Sequence, residues 1–273
     1  MHKRILLIGC GRWGANIIRD LLALQCDVSV LDPDEERRAF ALRAGARTDV
    51  PDVVDGVIIA TPATSHAQSM RDALRFGVPL FVEKPFTTSS VDAREFLGER
   101  IFVMDKWRYH AGVEELRRIA QTRELGRVIA LSSIRTQSAD TQTDVDAIWT
   151  LAPHDLAIAH EILGTMPIAI GAAGERCSGG RVGLTARLRA GDVAVTIDVS
   201  ACRAKRERNV ILECENGTAT LDAAAGGEPP LFRELAAFLG YLDGGEPPRG
   251  RVHDAVAIVE TIEHLRALAG FSS

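Results

Sequence analysis

The segment that most restricts this chain runs from Ile5 to Gly14. Ile5-Leu6-Leu7-Ile8 is an unbroken apolar run, as a strand covered on both faces requires. It leads directly into Gly9-Cys10-Gly11-Arg12-Trp13-Gly14. GxGxxG between a strand and a helix predicts a tight βα turn. Gly9 would make the bend, Gly11 would let the backbone approach a pyrophosphate, and Gly14 would let the helix pack close to the strand. The helix, expected over 13–24, would turn free N–H groups and its positive dipole end toward phosphates, with Arg12 and Trp13 at its first turn. Asp32 ends the next apolar run. A carboxylate there would accept ribose hydroxyls and repel a 2′-phosphate, which favours NAD over NADP. Asp32 could instead cap the following helix.

Short apolar runs then alternate with helical patterns. Strands are expected at 28–31, 57–60, 80–82 and 101–104, with helices at 34–44 and about 65–76. Such alternation implies βαβ units on a parallel sheet. Residues 1–107 are therefore expected to form an N-terminal Rossmann domain, an α/β doubly wound parallel sheet. After about Lys106 the period changes. Val182, Leu184, Ala186 and Leu188 alternate with polar residues, as do Val193, Val195, Ile197 and Val199, and Asn216-Gly217 is a hairpin signal. Residues 108–273 are expected to form an α+β domain with a mostly antiparallel open sheet. Helices are expected at 113–119 and about 154–163, and the C-terminal helices are candidates to pack back on the first domain.

Composition narrows the class of partner. The formal net charge of -5 offers no basic surplus to neutralise nucleic-acid phosphates. The cluster Arg203, Lys205, Arg206 and Arg208 reads as the solvated end of a hairpin. No apolar stretch is long enough to span a bilayer. Lys3-Arg4 before the first apolar run mimics a signal peptide, but the run is too short for one. The five cysteines, with no CxxC spacing, read as reduced, mostly buried thiols in a cytoplasmic protein. No histidine pair has ligand spacing, so no metal is expected.

Three further segments carry a family resemblance. Ala60-Thr61-Pro62-Ala63-Thr64-Ser65-His66 follows one strand, Glu83-Lys84-Pro85 follows another, and Ala152-Pro153-His154-Asp155-Leu156 precedes Ile162-Leu163-Gly164. Together with the glycine motif, this ordered set resembles the Gfo/Idh/MocA family of NAD(P)-dependent oxidoreductases over nearly the whole chain. The resemblance implies hydride transfer between nicotinamide and a carbinol or carbonyl carbon of a sugar, sugar derivative or cyclic polyol. It implies a catalytic or substrate-orienting Lys84 and a proton-exchanging His154. Thr61, Pro62 and His66 would lie beside the cofactor, with Glu83 near its ribose. A homodimer or homotetramer is implied as well.

Residue chemistry agrees with that implication. A lysine beside a positively charged nicotinamide has its ammonium form disfavoured and can take up a hydroxyl proton. A histidine exchanges protons near neutral pH. One position departs from the family pattern. Many members carry an aspartate four residues before the histidine, where this chain has Thr150, which holds no charge; Asp144, Asp146 or Asp155 are candidate substitutes. Trp107, Arg108, Tyr109 and His110 at the domain junction, with Arg135 and Trp149, are candidate substrate contacts; the alternatives are core packing for the aromatics and a surface charge for Arg108. Two other functions are compatible with the residues. One is a redox-assisted lyase or hydrolase that retains its NAD. The other is a non-catalytic dinucleotide or metabolite sensor.

Overall fold

Ile5 to Ile8 lies in the strand β1 (Arg4–Ile8), which sits inside a five-stranded all-parallel sheet. Its partners are β2 (Asp27–Leu31), β3 (Gly56–Ile59), β4 (Leu80–Glu83) and β5 (Ile101–Met104), in the order β2-β1-β3-β4-β5. The structure is a computed structural model that describes residues 2–138 and 144–271. The strand order reverses between β1 and β3, so the loops after these strands diverge and open a crevice at the carboxyl edge. Helices α1 (Arg12–Ala23), α2 (Glu35–Ala44), α3 (His66–Ala73) and α4 (Ser90–Glu95) complete the alternation. β3, β4 and β5 are buried along their whole length, as a sheet covered on both faces demands.

The chain divides into two units: Met1–Lys106 with Glu228–Ala255, and Trp107–Gly227 with Val256–Ser273. The first includes α7 (Pro230–Leu242). Its Leu231, Leu235, Phe238 and Leu239 join the core of the parallel sheet. Phe238 stacks on Phe81 of β4 at 4.8 Å, and Tyr241 meets Phe102 of β5 edge-on at 4.9 Å. The free edge of β5 is covered by the segment at Gly250, whose carbonyl accepts from Val103 N at 2.7 Å. A Cβ at Gly250 would collide with the Val103 carbonyl, so only glycine allows this approach.

In the second unit, α5 (Ala111–Thr122) and α6 (Ala147–Leu163) accompany a six-stranded sheet. Its strands are β6 (Val128–Thr136), β7 (Ile168–Arg176), β8 (Val182–Ala190), β9 (Val193–Ser200), β10 (Glu207–Cys214) and β11 (Gly217–Thr220), in the order β11-β10-β6-β9-β8-β7. Every neighbouring pair is antiparallel except β6 with β9. The last helix is α8 (Val252–Leu268).

Several expectations need correction. β6 escaped notice because two of its core-facing positions, Ser133 and Arg135, are polar yet buried. β7 escaped because a register shift between Ala169 and Gly171 breaks its alternation. α6 starts at Ala147, seven residues before the expected start at 154. Asp146 caps it, accepting from Ile148 N at 3.0 Å and Trp149 N at 3.3 Å, and Pro153 lies inside the helix, where it suggested a beginning. The helix is buried on nearly every side, which offsets the hydrogen bond that Pro153 cannot donate. The cysteines are not all free thiols. Cys177 and Cys202 form a disulfide that ties the end of β7 to the end of β9, while Cys10, Cys26 and Cys214 are free and buried. Strand ends 25 residues apart in sequence converge only in the folded sheet, which no local spacing signals.

Candidate functional site

In the first unit, the carboxyl ends of β1, β2, β3 and β4 deliver every residue singled out for cofactor binding. Gly9 has φ +94°, and a Cβ on it would lie 2.6 Å from the Ala60 carbonyl oxygen at the end of β3. A Cβ on Gly14 would collide with the Gly9 carbonyl, so helix and loop meet only through glycine. Gly11 differs: a Cβ there meets nothing within 4 Å. It is also the N-cap of α1 and provides no side-chain cap, whereas α2, α5 and α6 are capped by Asp34, His110 and Asp146. The first amides of α1, in Arg12, Trp13 and Gly14, therefore face a space that a side chain would fill. That is the cradle a pyrophosphate needs. Trp13 adds a buried indole Nε1 with no hydrogen-bond partner among the described residues, beneath the Lys106 ammonium, which sits 4.5 Å from the ring centroid. These residues fit a dinucleotide.

Asp32 is placed at the end of β2 but is already engaged. Its Oδ2 accepts from Cys10 N at 2.7 Å and its Oδ1 from Asp34 N at 2.9 Å, and the residue is 2% exposed. It fastens the glycine loop to the β2 turn, while the capping of α2 falls to Asp34. Arg37 Nη1 also lies 3.7 Å from Oδ2, and Oδ1 keeps a lone pair with which a ribose hydroxyl can still be accepted.

His66 braces two turns. Its Nδ1 lies 2.7 Å from the Pro85 carbonyl oxygen and its Nε2 lies 2.9 Å from that of Thr61, with the ring almost wholly buried. It holds the Thr61-Pro62 turn to the Lys84-Pro85 turn, whose peptide is cis. Lys84 is half-buried directly after β4. Its backbone N–H donates to Glu83 Oε2 at 3.1 Å. Burial pushes the Glu83 carboxyl up to about 8, against the pull of Lys84 and Lys106. Sequence reasoning overlooked Glu234 on α7. It is 1% exposed, its Oε2 has no partner among the described residues, and its neighbours are Glu83, Asp105 and Lys106. The signal was present: Glu234 lies on the same helical face as Leu231, Leu235 and Phe238.

In the second unit, the candidate substrate contacts are largely bound to one another. Arg135 of β6 grips Asp155 of α6 through Nε–Oδ2 at 2.8 Å and Nη2–Oδ1 at 3.1 Å, and Ser133 Oγ donates to Asp155 Oδ1 at 2.5 Å. Arg135 also stacks over Trp107 at 4.7 Å, with His110 against the same indole at 5.0 Å. Arg108 is neither a surface charge nor an open contact. It is buried and reaches His160 and Glu161, and Glu161 also pairs with Arg117 at 2.7 Å. Tyr109 is buried. Trp149 is buried with Arg266 stacked at 5.8 Å. Thr150 donates to the Asp146 carbonyl at 3.0 Å, and Asp146 pairs with Arg266 at 2.6 Å. Asp146 and Asp155 are thus committed to a cap and a clamp, while Asp144 precedes the cap at a half-buried position. His154, half-buried on α6, lies one turn beyond Thr150.

Arg208 was also missed. It stands opposite Arg135 in the β10–β6 register, exposed, with its guanidinium 5.9 Å from the Trp107 ring, so it belongs to a strand, while Arg203, Lys205 and Arg206 are exposed in the connection from β9 to β10.

Comparisons with known proteins agree with this architecture. Residues 3–99 match the profile of GFO_IDH_MocA, described as an oxidoreductase family with an NAD-binding Rossmann fold. An inositol 2-dehydrogenase from Saccharopolyspora erythraea is 30% identical over 185 residues, which are 60% of this chain and 55% of that protein. The UDP-N-acetylglucosamine 3-dehydrogenase of Acidithiobacillus ferrooxidans is 29% identical over 64% of this chain and 58% of its own. The chain thus aligns with little more than half the length of these curated relatives. Among solved structures, that of the A. ferrooxidans enzyme superposes with a TM-score of 0.84 at 21% identity, covering 99% of both chains. A myo-inositol dehydrogenase from Corynebacterium glutamicum gives 0.86 at 18% identity, covering 99% of this chain and 97% of its own. Residues 3–99 thus match the Gfo/Idh/MocA oxidoreductase family with its NAD-binding Rossmann fold, and the two-sheet architecture is similar to that of these solved structures.

Proposed function

We propose that the protein is an NAD-dependent oxidoreductase that moves a hydride between nicotinamide and a CH–OH or C=O carbon of a sugar, sugar derivative or cyclic polyol. The observation that carries this is the half-buried Lys84 at the carboxyl end of β4, on the same sheet edge as an uncapped, glycine-opened helix N-terminus. The names of the relatives, inositol and UDP-N-acetylglucosamine dehydrogenases, support the substrate class.

When bound, NAD supplies the hydride acceptor. As the carbon gives up its hydride and becomes a carbonyl, the hydroxyl proton must leave, and Lys84 Nζ takes it. His154 is the second group assigned to this proton traffic, and the Arg135–Asp155 clamp holds the helix that carries it. Thr61, Pro62 and the α1 amides bind the cofactor, Asp32 receives the ribose, and His66 keeps the two turns in place. Dependence on a diffusible cofactor supports a cytoplasmic location. Ile168 and Ile170, 71% and 62% exposed on the outward side of β7, support a homodimer or homotetramer.

Calorimetric titration with NAD, NADH, NADP and NADPH tests the cofactor assignment. Screening sugars and polyols at the nicotinamide absorbance then tests the reaction. Lys84→Ala is expected to lower turnover by about 10²–10⁴ while leaving NADH affinity within a few-fold. A folded protein that binds none of the four nucleotides would overturn the proposal.

A further inference from the structure

Two acids that should repel each other are packed together in the interior of the first unit. Phe81 and Glu83 are two apart on β4 and therefore face the same side of the sheet. Glu234 and Phe238 are four apart on α7 and share a helical face. Phe81 and Phe238 stack at 4.8 Å, and the strand and helix spacings match, at about 6.7 Å and about 6 Å. The next rung of that ladder sets Glu234 beside Glu83, at the sheet edge where Lys84 follows. The groups that face Glu234 are Glu83 on β4 and Asp105 and Lys106 after β5. Lys106 is also shared with the Trp13 ring of α1. Glu83 is 6% exposed and Glu234 1%, and Glu234 Oε2 has no partner among the described residues.

We propose that Glu234 is a positioning residue: as an uncharged acid packed beside Glu83, it spares the Lys84 turn a second negative charge at neutral pH and so limits the proton affinity of Lys84. Its influence on Lys84 rests on the role given to that lysine above; its uncharged state does not. The physical reason is that an isolated buried carboxylate is costly, and a second one beside it costs more. Burial and then the Glu83 charge hold the Glu234 carboxyl well above the ordinary range, and burial puts Glu83 at about 8. At neutral pH both carboxyls are therefore held largely protonated, and Glu83 accepts from the Lys84 N–H with little negative charge beside it. As pH rises, the pair ionises, negative charge accumulates beside Lys84, and its ammonium form is favoured.

The test uses Glu234→Gln, a neutral isostere, in the full chain. A carboxyl whose pKa is raised in the folded state binds extra proton there, so stability is greatest near or below the unfolded carboxylate pKa and falls as pH climbs through the folded value. Glu234→Gln removes one such group. Between pH 5.5 and 7.5 the folding equilibrium constant from urea titration should then depend less steeply on pH, by up to about tenfold per unit. The variant should be as stable as the parent near pH 4 and increasingly more stable from about pH 5.5 to pH 8. Infrared absorption of protonated carboxyl in the folded protein at pH 7 should diminish in the variant, a readout independent of reversible unfolding. An unchanged slope and infrared band, or a loss of stability confined to alkaline pH, would overturn the uncharged state of Glu234. For the effect on Lys84, NAD affinity is measured from pH 6.5 to 8.5. Its pH dependence should shrink at least threefold in Glu234→Gln and in Lys84→Met; equal dependence in parent and Glu234→Gln would overturn the positioning role. If no form binds NAD, the functional proposal fails while the stability and infrared results still decide the state of Glu234.

Discussion

Neighbouring glycines of one motif do different work, and substitutions should separate them. A methyl group at Gly11 meets open space, so Gly11→Ala should leave thermal stability nearly unchanged while weakening NAD binding by about tenfold or more, since the methyl occupies phosphate space. Gly9→Ala should fail to fold stably, because φ +94° and the Ala60 carbonyl both exclude a Cβ. Thermal melts and calorimetry on the two variants check the contrast. Asp32 is a poorer probe of ribose binding than its position suggests. Asp32→Ala leaves the Cys10 and Asp34 amides without their acceptor, at about 1–3 kcal/mol for each such group left buried, so loss of cofactor in that variant would mix stability with recognition. The comparison that isolates recognition is therefore Gly11→Ala, not Asp32→Ala.

At the scale of elements, the Arg135–Asp155 clamp joins β6 to α6 with both partners buried. Asp155→Asn strands a buried guanidinium, and urea unfolding should show a loss of about 3–5 kcal/mol. The double change Arg135→Met with Asp155→Leu should recover much of that loss, because it removes the uncompensated charge along with the pair. Equal losses in single and double variants would mean that the clamp contributes through shape alone. The disulfide is a second link between elements. Reduction, or Cys177→Ser with Cys202→Ser, opens a loop of 25 residues and should lower stability by about 3 kcal/mol, read as a fall in melting temperature. The elements that were legible in advance were those with an unbroken apolar run, such as β1 and β5, or a clean alternation, such as β8 and β9. β6 and β7 were not, because buried polar residues in one and a register shift in the other hide the alternation.

For the whole molecule, sequence order and spatial grouping part company. The first unit draws on two stretches, and the second of them supplies α7 as a cover for the parallel sheet. Leu231, Leu235, Phe238 and Leu239 are all buried there; at about 1.5–3 kcal/mol each, their removal approaches the whole stability of a domain. A fragment ending at residue 106 should therefore aggregate or lack a cooperative melt, whereas adding residues 228–255 through a flexible linker should restore one. The oligomer proposed from Ile168 and Ile170 is checked by light scattering: Ile168→Glu with Ile170→Glu should shift the parent assembly to monomer without lowering its melting temperature by more than a few degrees.

The sequence by itself determined what depends on local chemistry. A glycine pattern at a strand-to-helix turn dictates where the backbone can bend and which amides stay free, and hydropathy alternation dictates which side of a strand is buried. Those suffice for the Rossmann sheet, the glycine loop and the positions of Lys84 and His154 along the chain. Only the tertiary structure decided the partners, because side chains far apart in sequence become neighbours through packing alone. It committed Asp155 to Arg135, Asp146 to the α6 cap, Arg108 to Glu161 and Cys177 to Cys202. It also set Glu234 beside Glu83, where burial gives an ordinary carboxyl a different charge.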